Sequence, residues 1–177
     1  MKRTLWTATA MLLVLTCVLT ALTLYTASAV LEALAITAGT FFFHLIMRLI
    51  VGTLIGAALK GRIDLEKEHW KEKPFEKKLY KALKVKKWKN SMPAYDPLQF
   101  DPAKKSWKEI AEASCISEAV HTTNAVLSCI PLLFSIPFGS FTVFLITSII
   151  ASMIDLSFVV MQRYNRERIL PILKRKI

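Results

Sequence analysis

Two short polar constellations interrupt the apolar stretches of this chain. In SEAVH, Glu118 and His121 stand three residues apart, and in FHLIMR, His44 and Arg48 stand four apart, so on a helix each pair shares one face. Imidazole titrates near neutral pH and often accepts the proton in catalysis. Carboxylates orient such bases, and guanidinium groups stabilise developing negative charge. Asp155 adds a third polar point inside another apolar run. A charge near the middle of a membrane helix costs roughly 2.5–3.5 kcal/mol on insertion scales, so each of these groups needs a partner, water or a task.

The elements that position them follow from composition. The chain has 177 residues, 54% of them hydrophobic, and 24 Lys+Arg against 13 Asp+Glu. The apolar residues fall in long blocks around one highly charged block, which predicts an all-α integral membrane protein, a single membrane domain over 1–177. Four transmembrane helices are expected at about 5–24, 30–59, 118–138 and 141–161, in two hairpins. Leu5–Leu24 is either a retained helix or a signal peptide: it exceeds the usual length of a signal core, yet TASAV at 26–30 offers small residues for cleavage. Pro131 and Pro137 should kink or end the third helix. Cys17, Cys115 and Cys129 are odd in number and lack metal-ligand spacing, so they read as reduced packing residues.

Residues 60–112 carry 15 Lys+Arg and nine Asp+Glu, and the tail 162–177 carries six Lys+Arg against Glu167. By the positive-inside rule both termini and this central segment are expected in the cytoplasm of a cell-membrane protein. The segment also holds Trp70, Trp88, Trp107, Phe75, Tyr80, Tyr95 and Phe100. Phe75, Leu79 and Leu83 at i, i+4 and i+8 predict a short amphipathic helix on the membrane surface, followed by a proline-rich cap. Beside four apolar spans, anionic lipid headgroups explain the basicity better than nucleic acid does.

Three helices should present polar faces: His44 and Arg48 on the second; Glu118, His121, Asn124 and Ser128 on the third; Ser148, Ser152, Asp155, Gln162 and Arg166 on the fourth. By the helix rise, His121 lies about one turn in from the cytoplasmic side, Asp155 roughly 9 Å in and Arg48 about 16 Å in, so the faces converge in the cytoplasmic leaflet. Each signal has an ordinary reading as well. Arg48 and Asp155 are either a structural ion pair or part of a substrate site, and Glu118 is either functional or a first-turn acid stabilised by the helix dipole. A second Glu-x-x-His at Glu66–His69, with Glu32 and Asp155, raises a di-iron reading. The expected positions of Glu66 and Glu32 argue against it, so no metal is expected. HExxH, P-loop and GxSxG patterns do not occur.

Three motifs together, LYKALKVKKWKNSMPAYDP at 79–97, SEAVH at 117–121 and VVMQRYNRERI at 159–169, resemble the glycosyl-4,4'-diaponeurosporenoate acyltransferase family. Members are small bacterial membrane proteins of staphyloxanthin-type carotenoid synthesis. The resemblance runs over about 75–170, with VKKWK, Glu118-x-x-His121 and QRYNR as its most distinctive pieces; Glu167 stands where the family often has proline. It implies transfer of a fatty acyl group to a sugar or lipid hydroxyl of an amphipathic acceptor, a glycolipid or glycosylated terpenoid, at the cytoplasmic leaflet. The co-substrate would be an acyl thioester, acyl-CoA or acyl carrier protein, with no bound cofactor. In that chemistry His121 is the expected base and Glu118 its orienting acid, with His44 a competing base. Arg48 or Arg166 would bind an anionic head group or the oxyanion, Lys87, Trp88 and Lys89 would dock the donor's phosphates, and Asn124, Asp155, Gln162, Tyr164 and Asn165 complete the substrate-binding set.

The contrasting expectation is a non-catalytic membrane scaffold or lipid-binding protein whose intramembrane charges pair with one another. A transporter is disfavoured, since no internal repeat is visible and four helices would have to oligomerise to build a path. Membrane lipids and their anionic headgroups are the expected partners, and the oligomeric state stays open.

Overall fold

The computed structural model describes residues 2–174; Met1 and the last three residues of the basic tail lie outside the described residues. Among the described residues all regular structure is helical: α1 (Lys2–Thr26), α2 (Ala29–Leu59), α3 (Glu76–Ala82), α4 (Val85–Trp88), α5 (Trp107–Leu127), α6 (Pro131–Phe138) and α7 (Phe141–Lys174), with 3-10 turns at Lys89–Ser91 and Pro97–Phe100. Four stretches, α1, α2, α5 with α6, and α7, are long and apolar enough to cross a membrane.

Two boundaries differ from the sequence expectation, each for a local reason. The third long helix starts at Trp107, eleven residues before Glu118. Ser106 and Glu109 form a reciprocal capping box, with the Ser106 amide donating to Glu109 Oε2 at 2.8 Å and the Glu109 amide donating to Ser106 Oγ at 3.2 Å, which satisfies donors that a helix start otherwise leaves orphaned. Residues 107–112, expected in the charged segment, are therefore its first turns. The fourth helix runs on through 162–174, with no glycine to end it and with Pro171 held inside its last turns.

Pro131 breaks the third stretch as expected, because it has no N–H to donate and crowds the preceding turn. Residues 129 and 130 tighten into three-residue bonds, Cys129 N–H to Val126 O and Ile130 N–H to Leu127 O, before α6 resumes with Pro131 in its first turn. Pro137 stays inside α6 near its end. Two residues with positive φ, Gly139 (65°) and Ser140 (49°), then separate α6 from α7. Ala27 (φ 50°) likewise ends α1.

The chain divides into two compact units. The first comprises 1–51 and 124–154. In it Gly39 brings α2 close to α1, and a Cβ there would meet Thr16 Cγ2 at 3.4 Å. Phe43 meets Phe134 edge-on at 6.5 Å, and Ser152 Oγ donates to Ala125 O at 2.8 Å. The second comprises 52–123 and 155–177, with Ile110, Ala111 and Ile169 at its apolar centre and Leu65, Phe100, Trp107 and Leu173 packed around them. Here the short helix expected from Phe75, Leu79 and Leu83 exists as α3, and its buried positions are the polar Glu76 and Tyr80, while Phe75 and Leu83 are exposed.

Candidate active site

The second unit gathers most of the chemistry. His121 on α5 and Asp155 on α7 form a pair, Nδ1 to Oδ1 at 2.8 Å. The Asp155 side chain is 1% exposed and the imidazole 22%, so the acid is sealed and the base retains an open edge. The imidazole stacks flat on Phe158, with centroids 4.4 Å apart and planes 7° apart. Phe158 sits three residues after Asp155 on α7, so one helix face supplies both the acid and the ring that fix the histidine. An acid on Nδ1 directs the other nitrogen, Nε2, to accept protons, as in hydrolase triads.

One turn earlier on α5, Glu118 receives two arginines. Arg163 Nη1 donates to Oε1 at 2.5 Å, and Arg166 Nη2 lies 2.5 Å from Oε2. Arg163 also donates from Nε to Glu76 Oε1 at 2.7 Å and from Nη2 to the carbonyl of Lys71 at 2.9 Å. Arg166 donates from Nε to the carbonyl of Trp70 at 3.2 Å and lies 5.4 Å from the centre of its ring. The arginines thereby tie α5, α7 and the 69–76 segment together. Planar guanidinium forks suit such multiple acceptors.

Tyr80 completes the far side, donating to Glu76 Oε2 at 2.8 Å and meeting Tyr164 edge-on at 5.2 Å. Burial first, and the Glu76 carboxylate second, push the Tyr80 hydroxyl above the ordinary tyrosine range. Lys89 and Arg168 approach the Tyr164 ring at 6.0 and 5.8 Å. The wall formed by Trp70–Lys77 and the last turns of α7 borders an open cavity of about 410 Å³.

Of the residues expected from sequence, this unit brings together Glu118, His121, Asp155, Gln162, Tyr164, Asn165 and Arg166, with Lys89 beside Tyr164. Gln162 is buried and Asn165 is half-buried. Lys87 is exposed, and Trp88 Nε1 donates to the carbonyl of Leu83 at 2.8 Å, closing the α3–α4 corner. His44, Arg48 and Asn124 belong to the first unit. There Arg48 donates to the carbonyls of His44, at 2.8 Å, and Ala151, at 3.3 Å, while Asn124 is buried.

The acid expected to orient His121 was Glu118; the acid on its Nδ1 is Asp155, and Glu118 holds two arginines instead. Three residues along a helix place two side chains on one face without making them touch, and the stronger cationic partners take the carboxylate. Arg163, Glu76 and Phe158 join the site without having been singled out, and Trp70 and Tyr80, expected only as aromatics of the charged segment, join it too. Arg163 lies inside QRYNR, three residues from Arg166, which is the one sequence signal that points to it.

Four apolar helices and a buried acid–imidazole pair define a multi-pass helical membrane protein with the parts of a proton-transfer site. No curated protein and no solved structure matches the chain. The family model described as glycosyl-4,4'-diaponeurosporenoate acyltransferase matches residues 64–175, more than half of the chain, and the chain belongs to that family.

Proposed function

We propose that the protein is a membrane acyltransferase that moves a fatty acyl group from an acyl thioester to a hydroxyl of a glycolipid or glycosylated terpenoid-like acceptor. The observation that carries the reading is the 2.8 Å His121–Asp155 pair, with its acid sealed and its base open. His121 Nε2 takes the acceptor's hydroxyl proton as the oxygen attacks the thioester carbonyl. The new C–O bond forms, the tetrahedral intermediate collapses with loss of the C–S bond, and the imidazolium returns the proton to the departing thiolate. Asp155 holds the ring in the productive tautomer and balances its transient charge.

In this reading the long helices form two hairpins, with both termini and the charged segment in the cytoplasm, where the basic residues favour them and acyl thioesters are made. The exposed Phe75 and Leu83 of α3 rest in the headgroup layer. Lys87 and Lys89 draw anionic headgroups and the anionic donor to the site. The acceptor reaches His121 from the plane of the membrane.

The arginine–carboxylate network around Glu118 favours a second reading, a scaffold whose buried charges only hold helices together. A lipid profile of cells carrying His121→Ala beside wild type, at matched protein level, separates the two. The acyltransferase reading expects loss of an acylated lipid and accumulation of its unacylated acceptor. An unchanged profile would discard it in favour of the scaffold.

A further inference from the structure

The cavity of about 410 Å³ beside the arginine network is lined by Arg163 and Arg166 but by neither His121 nor Asp155. Arg166 lines it with a side chain 1% exposed. Its Nε and Nη2 are engaged by Trp70 and Glu118, and the guanidinium also acts on the buried Cys115 thiol, while Nη1 makes no close hydrogen bond to an oxygen or nitrogen among the described residues. Guanidinium does not shed its charge, so a sealed N–H without an acceptor favours a ligand that supplies one.

The rest of the wall selects the ligand's chemistry. Lys71, Lys77 and Lys174 also line the cavity; Lys71 donates to Glu68 Oε1 at 2.6 Å, and the Lys77 side chain is 71% exposed. The three lining carboxylates are Glu72, Glu76 and Glu167, of which Glu76 is held by Arg163 and Glu72 lies 3.2 Å from Lys77. Five cationic groups and three acids line the cavity, and two acids outside the lining complete the pairing, Glu118 with both arginines and Glu68 with Lys71. Leu170 and Pro171 add an apolar wall. An anion with several oxygens on a partly apolar stem fits this lining, and the volume falls in the range of ~300–1,000 Å³ typical of small-molecule sites.

We propose that this cavity binds the phosphate end of a phosphopantetheine arm, the piece shared by acyl-CoA and acyl carrier protein. The assignment rests on the acyl-thioester reading above. Arg166 Nη1 is the buried contact, and the three lysines hold the charge at the mouth. Along α7, Arg166 lies eleven residues beyond Asp155, about 16 Å by helix rise. The arm carries its sulfur and its phosphate at opposite ends, which matches one site for the thioester near His121 and another for the phosphate near Arg166.

The test titrates full-length protein in zwitterionic nanodiscs with 4'-phosphopantetheine, pantetheine and inorganic phosphate. The expected result is saturable, salt-sensitive binding of 4'-phosphopantetheine, weakened roughly tenfold or more when the phosphate is absent from the probe and in Lys71→Ala/Lys77→Ala. The Lys71 and Lys77 side chains are 40% and 71% exposed and pair with Glu68 and Glu72, so an unchanged thermal midpoint is expected of the double variant and is measured beside binding, and Arg166→Lys tests the buried contact separately. Equal affinity for pantetheine, equal affinity in the double variant, or inorganic phosphate binding as tightly overturns the proposal. So does a double variant that, in a second set of nanodiscs containing phosphatidylglycerol, loses only its retention of that lipid, which would make the anion a lipid headgroup. His121→Ala is expected to bind 4'-phosphopantetheine as wild type does. If His121→Ala still transfers acyl groups while that binding holds, the base assignment falls and the cavity assignment stands.

Discussion

Glu118 Oε1 accepts a hydrogen bond from Arg163 Nη1 at 2.5 Å, joining two residues 45 positions apart in the chain. Because Arg166 shares the same carboxylate, Glu118 neutralises two guanidinium groups that are both largely withdrawn from solvent. Removing one partner of a buried ionic cluster leaves the others uncompensated, at a cost of about 3–5 kcal/mol. Glu118→Ala should therefore lower the thermal midpoint of the detergent-solubilised protein sharply. Glu118→Gln, which keeps an acceptor without the charge, should fall between. A midpoint unmoved by Glu118→Ala would show that the network carries no stability.

Asp155→Asn should act on rate more than on folding. The amide is nearly isosteric and still reaches His121, but it permits the wrong tautomer and gives no charge to the imidazolium. Acyl transfer in isolated membranes should fall by about 100-fold or more, within the range for positioned general bases and their orienting acids, with protein abundance unchanged. Activity at the wild-type level would remove Asp155 from the mechanism.

How far the site was legible follows from the kind of signal each part leaves in a sequence. The apolar spans are written as long runs with few charges, and the polar face of α7 is visible in helical spacing: Ser148, Asp155, Gln162 and Arg166 are all buried. The start of α5 was also written, as Ser106-x-x-Glu109, but it precedes a polar turn that lies outside the apolar run, so a boundary set by hydropathy begins at Glu118. Contacts between helices leave no such trace. Nothing in spacing assigns Asp155 to His121, 34 positions away, or Arg163 to Glu76, 87 away. In α3 the apolar positions are legible as a face, while their exposure depends on Arg163 drawing Glu76 inward.

Phe158 should matter through His121. Its ring lies flat against the imidazole, an offset or stacked contact that contributes about 0.5–1.5 kcal/mol beyond area burial for aromatic pairs. Phe158→Ala removes the support and lets the imidazole leave the plane set by Asp155. The expected result is a roughly tenfold loss of acyl transfer, since misplacement of a catalytic group by about 1 Å costs 10–100-fold. Phe158→Tyr should restore most of it, while Phe158→Leu, apolar but unable to stack, should not. Equal activity in the alanine and tyrosine variants would show that the stack is incidental.

Tyr80 should shape the alkaline limb of stability. Its hydroxyl is pushed above the ordinary value of 10.0, by burial first and then by the Glu76 carboxylate to which it donates. The folded state thus holds this proton more tightly than the unfolded state does. The corresponding stability is fully present below about pH 10 and is lost as the pH rises beyond that value, where the unfolded chain releases the proton and the folded one does not. Tyr80→Phe has no proton to lose. Thermal midpoints of wild type and Tyr80→Phe, measured in detergent between about pH 8 and 11, should run parallel up to about pH 10 and then converge as wild type falls faster. The two proteins differ only at this hydroxyl, so the difference between the curves reports on Tyr80, and parallel curves throughout would mean that its hydroxyl is not sealed against Glu76.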